Sequence, residues 1–115
     1  MIFVIDDDLV MAKCIARACR QEVEIFTNAI EAMQKIASGE LPELIFLDIL
    51  LDGPDGITFL NELISYEDTR NIPVVIVSSF DYRKRDLSSY GVVGYLNKDT
   101  MTPQGIYEYV KKYAS

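Results

Sequence analysis

Three uninterrupted apolar runs constrain the fold more than any other feature of this chain. They occupy residues 2–5, 44–47 and 74–77, and they consist only of Ile, Leu, Val and Phe. Strands with one face in water alternate apolar and polar residues, whereas continuous apolar runs are typical of strands covered on both faces. Because segments with helical periodicity separate the runs, we predict a doubly wound α/β fold, in which right-handed crossovers place helices on both faces of a parallel sheet.

Weaker signals add strands and mark the helices between them. Residues 22–26 alternate as an outer strand should, and a short run ends just before Lys98, which gives five strands in all. We expect one helix over about residues 8–20. A second should follow Asn28, where Glu31 completes a capping box. The apolar stripe of this second helix is expected to comprise Ala29, Ile30, Met33, Ile36 and Ala37.

The second half of the chain carries further helix signals. One helix should open at Gly56, and the last should begin at the cap Thr102, with Pro103 in its first turn. Between the fourth and fifth strands, a fourth helix over roughly residues 82–89 is expected to be short or irregular. The inner stripes of the third and last helices are predicted to be Ile57, Leu60, Leu63 and Ile64, and Ile106, Tyr109, Val110 and Tyr113.

Length and composition narrow the class of protein. A chain of 115 residues predicts a single domain spanning 1–115. The net charge of −7 argues against direct binding of nucleic acid, which relies on Lys and Arg. No apolar run approaches the roughly 18 residues that cross a bilayer, and the N-terminus lacks the pattern of a signal peptide, so we expect a cytoplasmic location without membrane contact. The lack of histidine excludes a histidine-dependent catalytic triad.

Polar side chains follow the predicted central strands at their carboxyl ends. In a parallel sheet these ends share one edge, and ligands of doubly wound folds sit beyond that edge. The residues concerned are Asp6, Asp7, Asp48, Ser78 and Lys98. Three neighbouring carboxylates raise one another's pKa, and a hard divalent cation such as Mg²⁺ resolves the repulsion. This edge is therefore predicted to bind a cation and a phosphoryl group, with Asp48 as the nucleophile.

Another interpretation exists for the first acidic run. Carboxylates are favourable at a helix N-terminus, and Asp8 is assigned to that role. Asp6 and Asp7 could belong to it as well, and the acid at the end of a second central strand, Asp48, is what favours a metal site. Asp52 and Asp55 are interpreted as turn and cap residues before the third helix.

At these residues the chain resembles, from end to end, the receiver domain of two-component response regulators, a flavodoxin-like fold. Residues 4–8 are similar to the family's acidic pair after the first strand, and residues 48–56 to its phosphoacceptor loop. Residues 73–79 look like the strand that ends in the switch Ser or Thr. Residues 94–98 look like the segment with the switch aromatic and the lysine. The resemblance implies the strand order 2-1-3-4-5.

The resemblance also implies a chemistry for the site. Asp48 would accept a phosphoryl group from a phosphohistidine of a sensor histidine kinase or histidine phosphotransfer protein. Asp6, Asp7 and Asp48 would bind Mg²⁺, or Mn²⁺ in its place, together with the backbone carbonyl of Leu50. Lys98 would contact the phosphoryl group. The chain would catalyse only its own phosphorylation and dephosphorylation, as a signalling protein rather than an enzyme acting on a separate substrate.

A conformational switch is the second implication of the resemblance. Ser78 would move toward the phosphoryl group and leave room for Tyr95 to turn inward. This movement would couple the chemistry to the surface made by the fourth helix, fifth strand and fifth helix, where an output domain or a downstream protein would bind.

The sequence departs from the family pattern in three places. Asp52 stands where the family often has proline, and Asp99 stands where proline usually follows the lysine. The stretch over residues 78–95 also looks shortened. These departures keep open an alternative, a pseudo-receiver that binds partners without phosphorylation. An Asp-based phosphatase is disfavoured because Leu50 stands where its second acid is needed, and a flavin carrier because Asp6 and its neighbours would repel the flavin phosphate.

The residues that follow the two central strand ends predict a long-lived phosphorylated state. Leu50 and Phe80 lie two residues after Asp48 and Ser78, and neither apolar side chain can position an attacking water. We expect the lifetime of the acyl phosphate to be well above that in relatives with polar residues at these positions. The lifetime can be measured with radiolabelled phosphate. Loss of the label from the protein within seconds at neutral pH would contradict this expectation.

Overall fold

A computed structural model describes residues 1–49, 56–79 and 87–114 and shows a five-stranded parallel sheet. The strands lie in the order β2-β1-β3-β4-β5, as predicted. Their bounds are β1 Ile2–Ile5, β2 Val23–Phe26, β3 Leu44–Asp48, β4 Val74–Ser78 and β5 Val92–Asn97. All residues of β1, β3 and β4 are buried, which is why their sequences are continuously apolar up to the site.

Helices cover both faces of the sheet, which confirms the doubly wound prediction. Their bounds are α1 Leu9–Cys19, α2 Ala29–Ala37, α3 Gly56–Ile64 and α4 Pro103–Tyr113. Helices α1 and α4 pack with one set of alternating strand residues, and α2 and α3 pack with the other. Within the described residues no helix is long and apolar enough to span a bilayer.

The predicted fourth helix falls largely outside the described residues. In the part that is described, Ser88–Tyr90 forms a single 3₁₀ turn that leads into β5 through Gly91, whose φ is +83°. Helix α4 therefore corresponds to the fifth helix of the sequence prediction.

Side-chain caps begin three of the helices where the sequence predicts them. The Asp8 carboxylate accepts a hydrogen bond from the Met11 amide at 3.2 Å. Asn28 Oδ1 accepts from the Glu31 amide at 2.9 Å, and Thr102 Oγ1 accepts from the Gly105 amide at 3.0 Å. Asp8 is thus a helix cap, as expected, and this function separates it from the two acids before it.

The predicted apolar stripe of α2 is partly wrong. Ile30 is 51% exposed and Ala37 is also exposed, whereas Ala32, which the prediction omitted, is fully buried. Buried positions 29, 32 and 36 form a narrower stripe toward the sheet. Ile30 and Ala37 instead line a groove of about 350 Å³ between α2 and α3. The groove is lined by Ala29, Ile30, Met33, Gln34, Ala37, Thr58, Phe59 and Glu62.

The stripe of α3 also differs from the prediction, while that of α4 agrees with it. Phe59 is 2% exposed and packs in the core beside Leu60 and Leu63, although the predicted stripe omits it. Ile57 and Ile64 are half-buried at the flanks. In α4 the two aliphatic positions are fully buried and the two tyrosines are half-buried against the same core.

Strand β5 approaches α4 closely at Gly94, where the Tyr109 side chain packs onto the strand. A Cβ on Gly94 would lie 2.1 Å from the Tyr109 hydroxyl and 2.4 Å from two carbons of its ring. The β4–β5 pairing is irregular at this point, because Val74 pairs with Val92 and Val75 with Gly94. The bulge leaves Val93 38% exposed and turns Gly94 toward the tyrosine.

Adding a methyl group at Gly94 should therefore destabilise the fold. We expect Gly94→Ala to lower the free energy of unfolding by about 1–3 kcal/mol through overpacking against Tyr109. Val93→Ala on the exposed side of the same strand should change it little. Urea denaturation of the single variants and of Gly94→Ala/Tyr109→Ala measures the coupling, and purely additive effects in the double variant would contradict the proposed clash.

Candidate functional site

The first part of the site is the paired ends of β1 and β3. Ile5 pairs with Leu47, so Asp6 follows β1 beside Asp48, the last residue of β3. The Asp6 amide donates to the Phe26 carbonyl of β2 at 2.9 Å, which extends the sheet by one residue past β1. Asp6 is 1% and Asp48 is 5% exposed. Two carboxylates are therefore held at the carboxyl edge of the sheet with almost no contact with water.

Asp7 completes an acidic cluster with these two residues. Asp6, Asp7 and Asp48 each contribute a carboxylate oxygen, and these oxygens lie within 4.8 Å of one another. Asp7 is exposed, so the cluster opens to solvent on one side. The structure thus brings together the three predicted carboxylates, while Asp8 points its carboxylate to the α1 amide.

Lys98 supplies a positive charge to the same cluster. Its Nζ lies 3.1 Å from Asp48 Oδ2 and 3.0 Å from Asp6 Oδ2. Its side chain is 15% exposed, and its backbone amide donates to the Ser78 carbonyl at 3.0 Å. Although burial lowers the pKa of Lys98, its close contacts with Asp6 and Asp48 and their negative charges outweigh that effect and raise the pKa overall. The ammonium is therefore held firmly in its charged form.

Asp6 carries a charge that its surroundings do not fully compensate. Burial raises the pKa of Asp6, and the nearby negative charge of Asp48 adds to this. The Asp8 amide, which donates to Asp6 Oδ1 at 2.9 Å, and the Lys98 ammonium oppose the shift only in part. The ion-pair contact of Lys98 with Asp6 Oδ2 is not aligned as a hydrogen bond, and no other described group donates to this buried oxygen.

This arrangement fits a hard divalent cation. Mg²⁺ prefers oxygen ligands and commonly takes one or two carboxylates beside waters and phosphate oxygens. Asp6 Oδ2, which has an ion-pair contact but no hydrogen bond among the described residues, forms such a donor set with the exposed Asp7 carboxylate and Asp48. The fourth predicted ligand, the carbonyl of Leu50, lies outside the described residues, as do Asp52, Asp55 and Phe80.

The two predicted switch residues lie on the neighbouring strands. Ser78 is the last residue of β4 and is 3% exposed. Tyr95 lies in β5, pairs with Ile76 and packs half-buried against the core that α2 and α3 cover. Ser78 therefore lies on the strand next to Asp48, and Tyr95 lies one strand further out, on the edge strand β5.

Gly56 supports the site in a way that the sequence analysis did not identify. Its amide donates to the Ile49 carbonyl at 3.2 Å, and a Cβ at this position would lie 2.7 Å from Ile49 Cα. The start of α3 is thus in close backbone contact with Ile49, the residue that follows Asp48. The sequence signal was the Asp55-Gly56 pair, which the sequence analysis assigns to a turn and to the end of the phosphoacceptor loop, without the contact with Ile49.

Comparisons with known proteins agree with this geometry. A family model of the response regulator receiver domain matches residues 2–111. The Response regulator PleD of Caulobacter vibrioides is 30% identical over 84 residues, which are 71% of this chain and 18% of that protein. The chain thus spans less than a third of the length of the curated relatives it matches.

Solved structures share the fold. The receiver domain of NtrX from Brucella abortus matches with a TM-score of 0.83 and 24% identity, covering 97% of this chain and 96% of that one. The response regulator TrrA from Thermotoga maritima, in complex with Mg²⁺-BeF, matches with a TM-score of 0.80 and 24% identity over 96% of both chains. At this identity the likeness concerns the fold alone. Since the family model covers nearly the whole chain, the chain belongs to the response regulator receiver domains of two-component signalling.

Proposed function

We propose that this chain is a phosphoacceptor switch in which Asp48 receives a phosphoryl group from a partner's phosphohistidine. The observation that carries the proposal is the position of Lys98 Nζ, within 3.1 Å of Asp48 and 3.0 Å of Asp6 in a cluster that also contains Asp7. A merely structural ion pair would need only one carboxylate. Two buried acids around one lysine leave excess negative charge, which suits a site that holds a cation.

Asp48 is the proposed nucleophile. One of its carboxylate oxygens forms the bond to phosphorus while the bond from phosphorus to the donor imidazole nitrogen breaks, and that nitrogen keeps the electron pair. Lys98 already contacts the Asp48 carboxylate, so its ammonium would offset the charge on the transferred group without a large movement. Ser78, at the end of the adjacent strand, would donate a hydrogen bond to the phosphoryl oxygens.

The acidic cluster is the proposed metal site. Asp6, Asp7 and Asp48 would hold Mg²⁺, or Mn²⁺ in its place, with the Leu50 carbonyl as a further ligand. When bound, the ion neutralises charge on the phosphoryl oxygens. TrrA, which shares the fold, was solved with Mg²⁺-BeF, and the donor oxygens of this chain suit the same kind of ion.

Switching would pass through β4, which pairs with the strand that carries the nucleophile, to the edge strand β5. Movement of Ser78 toward the phosphoryl group would let Tyr95 turn inward and change the surface around β5 and α4. A sensor histidine kinase or histidine phosphotransfer protein would supply the phosphoryl group, and an output domain or downstream protein would bind the changed surface. We place this activity in the cytoplasm and assign residues 1–115 to one receiver domain that catalyses only its own phosphorylation and dephosphorylation.

Phosphorylation by a small donor tests the central role of Asp48. After incubation with acetyl phosphate and Mg²⁺, intact-mass spectrometry should show a gain of one phosphoryl group. Asp48→Asn should gain none, and Asp7→Asn should react at least about tenfold more slowly because it lacks a metal ligand. Asp8→Asn is the matched control, since asparagine caps a helix as well as aspartate does, and it should react normally.

The same samples distinguish the alternative function. A chain that gains no phosphate and does not bind beryllofluoride with Mg²⁺ would be a pseudo-receiver, which binds its partners without phosphorylation.

The raised pKa of Asp6 predicts opposite effects of one substitution on stability and on metal affinity. Because the folded state raises this pKa above its unfolded value, the contribution of Asp6 to stability is fully present at low pH and is lost as pH rises through the folded pKa. In metal-free buffer at neutral pH, Asp6→Asn should therefore melt at a higher temperature than the parent chain. The difference should shrink below the ordinary aspartate pKa of about 4.

Mg²⁺ should reverse this order. The parent chain should gain thermal stability with increasing MgCl₂ through linkage, while Asp6→Asn should respond at least about tenfold more weakly in apparent affinity. Melting curves at several pH values, with and without Mg²⁺, measure both effects. A variant that is less stable than the parent in metal-free neutral buffer would show that the Asp6 charge is net stabilising.

A further inference from the structure

The turn after β5 suggests a role for a residue that touches neither the nucleophile nor the metal site. We propose that Asn97 is a positioning residue, which holds the backbone on both sides of Lys98 and so aims the ammonium at Asp48 and Asp6. The inference rests on the proposed function, since it concerns the same lysine.

Hydrogen bonds to Asn97 define the turn. Its side-chain Oδ1 accepts from the Asp99 amide at 2.8 Å, across Lys98. Its backbone carbonyl accepts from the Met101 amide at 2.8 Å and the Thr100 amide at 3.2 Å. Side-chain acceptance from the amide two residues on is the Asx turn, a compact local structure that fixes the residue between.

Lys98 is thereby fixed at its own backbone as well. Its amide donates to the Ser78 carbonyl at 3.0 Å, which ties it to β4. The direction of its Cα–Cβ bond is then set by the dihedral angles that Asn97 stabilises on either side. A lysine side chain loses considerable rotamer freedom when it is ordered, so a fixed starting direction reduces the entropy lost in reaching the two carboxylates.

The Asx turn at Asn97 requires a residue with an amide hydrogen at position 99. Proline at this position would limit the backbone through its ring but would have no amide hydrogen to donate. Here Asp99 supplies the amide that Asn97 accepts. The two arrangements exclude each other chemically, and Asn97 with Asp99 fixes the backbone after Lys98 without a proline.

Removal of the Asn97 side chain should affect Lys98 more than the fold or the metal site. We expect Asn97→Ala to lower the maximal rate of Asp48 phosphorylation by acetyl phosphate about tenfold, because small misplacements of catalytic groups are costly. Affinity for Mg²⁺, measured by calorimetry, should not fall, since Lys98 is not a metal ligand and its released ammonium would no longer compete with the cation for Asp6 and Asp48. Asn97→Asp, which keeps an acceptor for the Asp99 amide, should restore most of the rate.

Two further variants separate positioning from a general loss of structure. Asp99→Ala keeps its amide hydrogen and is the matched control, so it should react as the parent chain does. In Asn97→Ala/Asp99→Pro the proline removes the unsatisfied amide and limits the backbone, and part of the rate should return. This double variant also keeps the test valid if Asn97→Ala alone folds poorly.

Labelling of Lys98 with an amine-reactive reagent gives a readout that does not depend on phosphorylation. In metal-free protein, peptide mass spectrometry should show faster labelling of Lys98 in Asn97→Ala than in the parent or Asp99→Ala, because the ion-paired ammonium is released. Parent-like labelling or a parent-like phosphorylation rate in Asn97→Ala would overturn the inference. A parent chain that takes no phosphoryl group would overturn the proposed function instead, and the labelling would still decide the role of Asn97.

Discussion

One ammonium group held between two buried carboxylates is the interaction on which the site depends. Asp6 and Asp48 lie side by side because β1 and β3 are paired strands, and the hydrogen bonds between these strands keep the two residues together. Lys98 reaches both, yet the pKa of Asp6 remains raised, chiefly by its burial and further by the charge of Asp48. Such a buried cluster is a poor way to gain stability, since apolar residues of similar size would often do as well.

The parallel sheet is what makes this unfavourable charge arrangement possible. The strands that carry Asp48 and Ser78 are buried along their whole length and packed on both faces, so their ends are rigid supports. Stability comes from the two apolar cores, and the polar residues sit beyond the last apolar residue of each strand. This separation lets the carboxyl edge carry the excess negative charge that the proposed cation would neutralise, while the fold stays intact.

The apolar runs predicted the central strands of a parallel sheet and the edge where the polar side chains meet, whereas the outer strands came from weaker signals and the strand order from the family resemblance. These predictions were possible because strands buried on both faces have continuously apolar sequences. In addition, the carboxyl ends of parallel strands lie at the same edge of the sheet. The stripe of α2 was less predictable, since Ile30 lines a groove beside α3 and the sequence does not show which helices are neighbours. Gly56 and Asn97 were missed for a similar reason: their contacts with Ile49 and Asp99 depend on backbone geometry that residue patterns do not reveal.

Strand β5 is the part of the site that needs the most support from outside the sheet. Among the described residues it lies at the edge of the sheet and pairs with β4 alone, and that pairing is interrupted by the bulge near Val93. Compensation comes from α4, where Tyr109 packs directly onto Gly94, and from the turn that Asn97 closes after the strand. Because Tyr95 and Lys98 both lie on this segment, the contacts that hold the lysine would also limit the proposed movement of the tyrosine. In the proposed function, an edge strand fixed at two points, with a half-buried tyrosine between them, would transmit a change at Asp48 to the surface without disturbing the central strands.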